Sequence, residues 1–247
     1  ILIEHEECEP FITADYRILI EHADEVIRGL KYFLKASLAN KGIIAIEDNK
    51  PRAIELFNQL TADDPNISVV VCPEKYPQGS ERHLIYAVTG RVVPERALPS
   101  AVGVIVDNVA TAMQAALAVK DDLPCYERIV TVSGNAVHKP GNYRVRIGTL
   151  YSHLVEQGAQ GLKNDPARII SGGPMMGAPM SWEAAMNASV TKTTSGILVL
   201  PEDGAIDRRR KTQLNHMLNR AKAACIQCTF CTQLCPRHML GHPLQPH

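Results

Sequence analysis

In the first half of the chain, amphipathic stretches alternate with short runs of apolar, largely β-branched residues. Apolar side chains recur at helical spacing, which predicts helices over 22–40, 51–62, 80–90 and 109–119. The runs between them predict buried strands at 43–46, 67–71 and 102–106. A β-α-β-α alternation of this kind indicates a mostly parallel sheet covered by helices.

The pattern changes near Pro124, where a small mixed β/α unit begins. Strands are predicted at 128–133, 143–147, 168–171 and 196–200, with a short helix at 149–158. The glycine-rich stretch 172–177 is predicted to be irregular. A helix over 212–224 then leads into the cysteine-rich end of the chain. We therefore predict three units, at 1–123, 124–202 and 203–247.

Four of the seven cysteines lie in one short segment with the spacing C-x2-C-x2-C-x3-C-P. They are Cys225, Cys228, Cys231 and Cys235. Soft thiolates bind iron, and this spacing is that of bacterial ferredoxins, in which the fourth cysteine serves a second cluster. A zinc site, the alternative, usually shows two separated Cys-x2-Cys pairs. The segment is thus predicted to bind [4Fe-4S] clusters.

A two-cluster module needs more cysteines than this segment supplies. The chain also opens on Ile1 rather than on Met. We therefore expect the sequence to be part of a longer protein, with a second cysteine run beyond His247 and two clusters in the full-length protein.

Charge and hydropathy argue against two classes of protein, while leaving a local basic patch open. Lys plus Arg equals Asp plus Glu at 26 each, which argues against nucleic-acid binding through bulk positive charge. No apolar run approaches the roughly 20 residues of a transmembrane helix, so no membrane span is predicted.

Three polar segments follow predicted strands or adjacent turns in the first unit. One is the carboxylate-rich stretch 7–15, which on composition alone could be a solvated acidic loop. The second is 76–82, where Gly79 permits close backbone approach and Tyr76 could stack on a flat ring. The third begins at Asp107. Ligands of open α/β sheets lie beyond the carboxyl ends of strands, so these segments predict a ligand crevice.

Several of these stretches, taken in order, resemble a known family. They are 7–15 (ECEPFITAD), 76–81 (YPQGSE), 172–177 (GGPMMG) and 191–196 (TKTTSG), followed by the ferredoxin run. Together they resemble the RnfC proteins of Rnf-type electron transport complexes and their relatives, which are similar to the flavin subunit of respiratory complex I. The ending 235–244 (CPRHMLGHPL) is closer to the cobalamin reductase of propanediol-utilisation microcompartments.

The resemblance implies a fold for each unit. The first is a complex I flavin-subunit-like parallel α/β domain. The second is a β-grasp, SLBB-like domain, marked by the stretch 131–143. The third is the start of an α-helical ferredoxin-type domain.

The resemblance also implies an FMN that is reduced by NADH. By position, Glu9 and Asp15 would lie in the first flavin loop, and Tyr76, Gly79 and Glu81 in the second. Asp107, Asn108 and Thr111 would form the third. The family's glycine-rich loop for the flavin phosphate does not precede Ile1.

The implied function is electron transfer from NADH through FMN and [4Fe-4S] clusters to a corrinoid, with cobalamin as a candidate ligand, or to a partner protein. Expected partners are other subunits of an electron-transfer complex or a microcompartment, with no nucleic acid. The expected location is the cytoplasm, including the interior of a bacterial microcompartment. One alternative is a peripheral RnfC protein of a membrane ion-translocating NADH:ferredoxin oxidoreductase. Another is a non-catalytic ligand-binding module with a structural cluster.

Overall fold

The computed structural model describes residues 1–5, 7–163, 167–201 and 212–246. Its first sheet has four parallel strands in the order β3-β2-β1-β4. Ile3 of the first strand pairs with Ile44 on one side and with Asp107 on the other. The strands are β1 (Leu2–His5), β2 (Gly42–Glu47), β3 (Ile67–Cys72) and β4 (Val106–Asn108).

Five helices cover this sheet. Four of them pack on the main apolar core, in which Ile3, Leu30, Ile44 and Phe57 are fully buried. Gly29 permits close contact between α2 and α5, because a methyl group there would lie 1.9 Å from the carbonyl oxygen of Ala112. The helices are α1 (Ala14–Glu21), α2 (Ala23–Ser37), α3 (Pro51–Thr61), α4 (Glu81–Thr89) and α5 (Val109–Asp121).

The predicted helices of this unit and its strands at 43–46 and 67–71 are confirmed. The predicted strand at 102–106 is wrong: Pro99–Val102 is a 3-10 turn and the strand begins at Val106. β1 and α1 were not predicted, since polar residues interrupt the apolar pattern there. β1 pairs with β2 on one side and with β4 on the other, and these partners are far from it in sequence.

The second sheet is mixed, with five strands in the order β6-β5-β9-β7-β8. β5 and β9 are parallel, and the other pairs are antiparallel. Helices α6 (Tyr151–His153, continued by the π-turn Leu154–Gly158) and α7 (Trp182–Met186) cover its core. The strands are β5 (Glu127–Ser133), β6 (Gly141–Arg146), β7 (Ala167–Ser171), β8 (Ala178–Met180) and β9 (Gly196–Pro201). The four predicted strands are confirmed, whereas β8 and α7 were not predicted.

The C-terminal segment is helical, as predicted. It contains α8 (Leu214–Ala224), α9 (Phe230–Gln233) and α10 (Pro236–Met239). The predicted boundary at 202/203 falls among residues 202–211, outside the described residues. In the described ranges, no helix is long and apolar enough to cross a membrane. The architecture therefore matches the predicted fold class, while the exact limits of the three units stay a prediction.

Candidate functional site

The carboxyl edge of the parallel sheet opens into a cavity of about 620 Å³. Parallel strands all end at this edge, which is where open α/β sheets bind ligands. The loop after β1 contributes Glu7, Cys8 and Glu9, and the loop after β3 contributes Tyr76 and Gly79. The second sheet and the C-terminal segment complete the wall, so all three parts of the chain meet here.

Glu7 fixes the start of α1. Its Oε1 accepts hydrogen bonds from the backbone N–H groups of Asp15, at 2.8 Å, and Tyr16, at 3.1 Å. Burial, with the nearby Asp15 carboxylate, raises the pKa of Glu7 to about 8, against the opposing effect of those N–H groups and of Lys50. Glu7 can therefore hold a proton near neutral pH.

His5 lies behind Glu7 with its side chain fully buried, its Nε2 4.0 Å from Glu7 Oε2. Burial, together with the charge of Lys50, lowers the pKa of His5 to about 3. His5 is consequently neutral at physiological pH, and the 4.0 Å contact is not an ion pair there.

Asn108 joins β4 to α1 and α5. Its Oδ1 accepts from the backbone N–H of Ala110 and caps α5. Its Nδ2 donates to Asp15, at 2.6 Å, and to Glu4, at 3.1 Å. Burial raises the pKa of Asp15, and the bond from Asn108 works in the opposite direction. The side-chain amide of Asn108 therefore links β1, α1 and α5 at this edge of the sheet.

The loops after β1 and β3 are tied to each other past the end of β2. The backbone N–H of Gly79 donates to Cys8 Sγ at 2.8 Å, and Cys8 Sγ also lies 3.7 Å from the carbonyl oxygen of Lys75. Tyr76, beside this junction, leaves 45% of its surface exposed and lines the cavity. An aromatic ring is thereby presented at the cavity wall.

Glu9 connects this edge to the second sheet. Its carboxylate accepts from the backbone N–H groups of Met175, at 2.9 Å, and Met176, at 2.5 Å. A side chain at Gly173 would lie 2.3 Å from Glu9 Oε2, so the loop needs glycine there. Gly172 adopts the left-handed region with φ +100°. The stretch 172–177, predicted to be irregular, thus supplies both backbone donors to the Glu9 carboxylate. We call this pair of hydrogen bonds the Glu9 clamp.

The eight predicted flavin contacts divide into two groups. Four line the cavity: Glu9, Asp15, Tyr76 and Gly79. The other four are not among its lining residues: Glu81 is exposed on α4, Asp107 lies within β4, Asn108 forms the bonds above, and Thr111 is exposed on α5. All eight remain predictions as flavin contacts.

Sequence reasoning missed several other residues of the cavity wall. Loops of the second unit supply Met176 and Ser195, while α4 supplies His83. The C-terminal segment supplies Pro236 and Arg237. His83 lies one turn after the lining residue Ser80, which is a usable local signal. The residues from distant segments lie in the stretches 172–177, 191–196 and 235–244, which carry the family resemblance, but no local signal brings those stretches to one cavity.

The four motif cysteines lie along a sharply bent segment. Cys225 follows α8, Cys231 lies in α9, and Cys235 caps α10. The backbone turns at Gln227 and Thr229, both with positive φ. All four thiols are free, and all except the half-buried Cys235 are exposed.

This donor set fits an iron–sulfur cluster in ligand type, spacing and access. Within the described ranges, no three His, Cys, Asp or Glu side chains are arranged to hold a metal ion. Convergence of such ligands is generally coupled to metal binding itself.

The segment that carries the four motif cysteines contacts the cavity immediately after its fourth cysteine. Pro236 and Arg237 line the cavity together with His83. Burial lowers the pKa of His83, and the positive charge of Arg237 acts in the same direction, while the Pro236 backbone opposes it. Cys235 is therefore one residue away from the cavity wall.

Comparisons with known proteins agree with this geometry. The Nuo51 FMN-binding domain family matches residues 1–117, and the SLBB domain family matches residues 129–179. The cobalamin reductase PduS of Citrobacter freundii is 40% identical over 246 residues, which are 100% of this chain and 53% of that protein. The RnfC protein of the proton-translocating ferredoxin:NAD(+) oxidoreductase complex of Clostridium ljungdahlii is 39% identical over 233 residues. These are 94% of this chain and 47% of that protein.

The chain is similar to RnfC proteins and to the cobalamin reductase PduS over 94–100% of its length. It spans about half the length of the curated relatives it matches. A solved NAD+-reducing [NiFe]-hydrogenase, in the H2-reduced state, aligns with a TM-score of 0.63 at 19% identity, covering 81% of this chain and 40% of the hydrogenase chain. That likeness supports the fold. The match to residues 1–117 supports the predicted FMN-binding domain, and the two relatives are named as an oxidoreductase complex subunit and a reductase.

The Glu9 clamp is testable by Glu9→Gln. A Gln side chain keeps one acceptor oxygen but turns an NH2 group toward the second backbone N–H. We expect a loss of about 1–3 kcal/mol in the free energy of unfolding, because a charged acceptor for two backbone donors is removed. Denaturant unfolding measures this.

The matched control is Glu21→Gln, which removes an exposed i,i+4 ion pair with Arg17. It should cost less than about 0.5 kcal/mol. Equal effects from the two variants would contradict the clamp.

The raised pKa of Glu7 predicts a pH dependence of stability. Because Glu7 binds a proton more tightly in the folded state, its contribution is fully present below pH 4.5 and is lost as pH rises through about 8. Glu7→Gln keeps the acceptor for α1 but removes this titration. Between about pH 7 and pH 9 the wild type should lose stability relative to the variant.

Over that interval His5 is already deprotonated in both states, so its own titration does not mask the effect. The measurement is the difference between the free energies of unfolding of the two proteins at each pH. A difference that stays constant with pH would mean that Glu7 ionises well below this range.

Proposed function

We propose that this chain is the flavin and iron–sulfur part of an electron-transfer protein that takes electrons from NADH and passes them to a corrinoid or to a partner protein. The observation that carries the proposal is the shared cavity. Strand-end loops of the FMN-binding domain line it, and so do Pro236 and Arg237, which directly follow the cluster ligand Cys235. One segment would thus hold a cluster and touch the flavin site.

Bound FMN would accept two electrons from NADH and release them singly to a cluster. The protein's role is to bind and space such groups. Tyr76 offers an exposed ring for stacking, and Gly79 allows close backbone approach. Cys225, Cys228, Cys231 and Cys235 would hold iron, with Cys235 serving a second cluster.

Two relatives of similar identity support different acceptors. PduS is named as a cobalamin reductase, and the Acetobacterium woodii relative, 38% identical over 239 residues (97% of this chain, 50% of that protein), is the RnfC protein of a Na(+)-translocating complex. The leading proposal is a corrinoid acceptor in the cytoplasm or in a microcompartment, since the ending 235–244 is closer to the cobalamin reductase. The second candidate is a peripheral protein of such a complex at the cytoplasmic membrane face.

The test uses the anaerobically purified full-length protein. NADH should bleach the flavin absorbance and generate the EPR signal of a reduced cluster, and added cob(III)alamin should reoxidise both. Reoxidation only by purified membranes of the source cell would favour the second candidate. A cluster that NADH and dithionite both fail to reduce would contradict electron transfer.

Cys228→Ala separates the two redox sites. It should lower the iron content and slow reoxidation by the acceptor, while NADH still bleaches the flavin. Cys125→Ser is the matched control, since Cys125 lies outside the motif. Equal losses in both variants would argue that the motif does not hold the cluster.

A further inference from the structure

The three carboxylates that line the cavity are already engaged by the protein. Glu7 accepts hydrogen bonds from two backbone N–H groups at the start of α1, and Glu9 accepts the two hydrogen bonds of the Glu9 clamp. Asp15 accepts a hydrogen bond from the side-chain amide of Asn108. These three carboxyl groups therefore already have hydrogen-bond partners within the protein.

Arg237 differs from them. Among the described residues that line the cavity it is the sole Lys or Arg. Its guanidinium forms no ion pair within 4.0 Å with any carboxylate in the described ranges. The side chain is half-buried, so this charge is partly removed from water without an anionic partner.

The neighbouring His83 does not share the charge. Burial lowers the pKa of His83, and the charges of Arg237, His242 and Lys75 act in the same direction against the opposing Pro236 backbone, so the protonated form of His83 is disfavoured. The positive charge of this wall is thus concentrated on Arg237. A guanidinium offers five N–H donors in a planar fork, which suits phosphate and other delocalised anions.

We propose that Arg237, carried by the cluster-binding segment, is the anion-recognising residue of the flavin cavity. The inference rests on the proposed function, because it takes the occupant to be FMN. The anion has two possible sources. One is the FMN phosphate, and the other is the negative charge that the flavin ring gains when it takes up two electrons and one proton.

The probes are FMN and riboflavin, which differ by the phosphate alone. Each is titrated into the flavin-depleted full-length protein, with fluorescence quenching as the readout. The variants are Arg237→Gln and the charge-keeping Arg237→Lys. Arg220→Gln is the matched control: it makes the same charge change on exposed α8, away from the cavity lining. Iron and sulfide content is measured on every variant.

A phosphate contact predicts that Arg237→Gln weakens FMN binding by about tenfold or more, as expected for a charge-assisted hydrogen bond. Riboflavin binding should be unchanged. A ring contact predicts instead equal oxidised-state affinities but a lower flavin midpoint potential. A tenfold loss in relative affinity for the reduced flavin corresponds to about 30 mV for a two-electron couple.

Arg237→Lys should retain part of either effect, and Arg220→Gln should show neither. If Arg237→Gln also lowers cluster content, the comparison is made on Arg237→Lys with full cluster content. Wild-type affinities and potential in the Arg237 variants would overturn the inference and leave the proposed function standing. A wild-type protein that binds neither flavin would instead overturn the proposed function.

Discussion

The hydrogen bonds between the Glu9 carboxylate and the backbone of Met175 and Met176 hold the molecule's two sheets around one cavity. The bonds depend on glycine at 173, where any side chain would displace the carboxylate. Because both donors are backbone groups of one short loop, the two hydrogen bonds fix the orientation of that loop as well as its distance from Glu9. These hydrogen bonds place Met176 in the cavity wall.

Other bonds reinforce the same junction. The backbone N–H of Thr13 donates to the Thr131 hydroxyl at 3.1 Å, and Ser133 donates to the carbonyl oxygen of Phe11 at 2.9 Å. The loop between β1 and α1 is therefore attached to the second sheet along much of its length. This loop begins at the carboxyl edge of the first sheet and is hydrogen-bonded to β5 of the second, so it fixes the shape of the site between them.

Sequence reasoning recovered what depends on local order. The cysteine spacing, the helices with clear periodicity and the strands made of β-branched runs are all properties of neighbouring residues. It missed β1, because Glu4 and His5 interrupt the apolar pattern in a strand that two neighbours pair with. It also missed Arg237 and Met176 as cavity residues, since their placement depends on contacts between segments far apart in the chain. Of the four predicted contacts that do line the cavity, Glu9, Tyr76 and Gly79 come from strand-end loops, which the rule for α/β sheets anticipates. Asp15 lies in the first turn of α1.

The central claim is that the cluster segment and the flavin share one cavity wall, through Pro236 and Arg237, which directly follow Cys235. The most direct test is EPR of the protein with one electron on the flavin, comparing power saturation of the flavin radical with the clusters reduced and oxidised. Proximity predicts faster radical relaxation when the clusters are reduced and paramagnetic, and no such change in a cluster-free variant. A flavin radical whose relaxation is the same with the clusters reduced or oxidised would contradict the shared cavity.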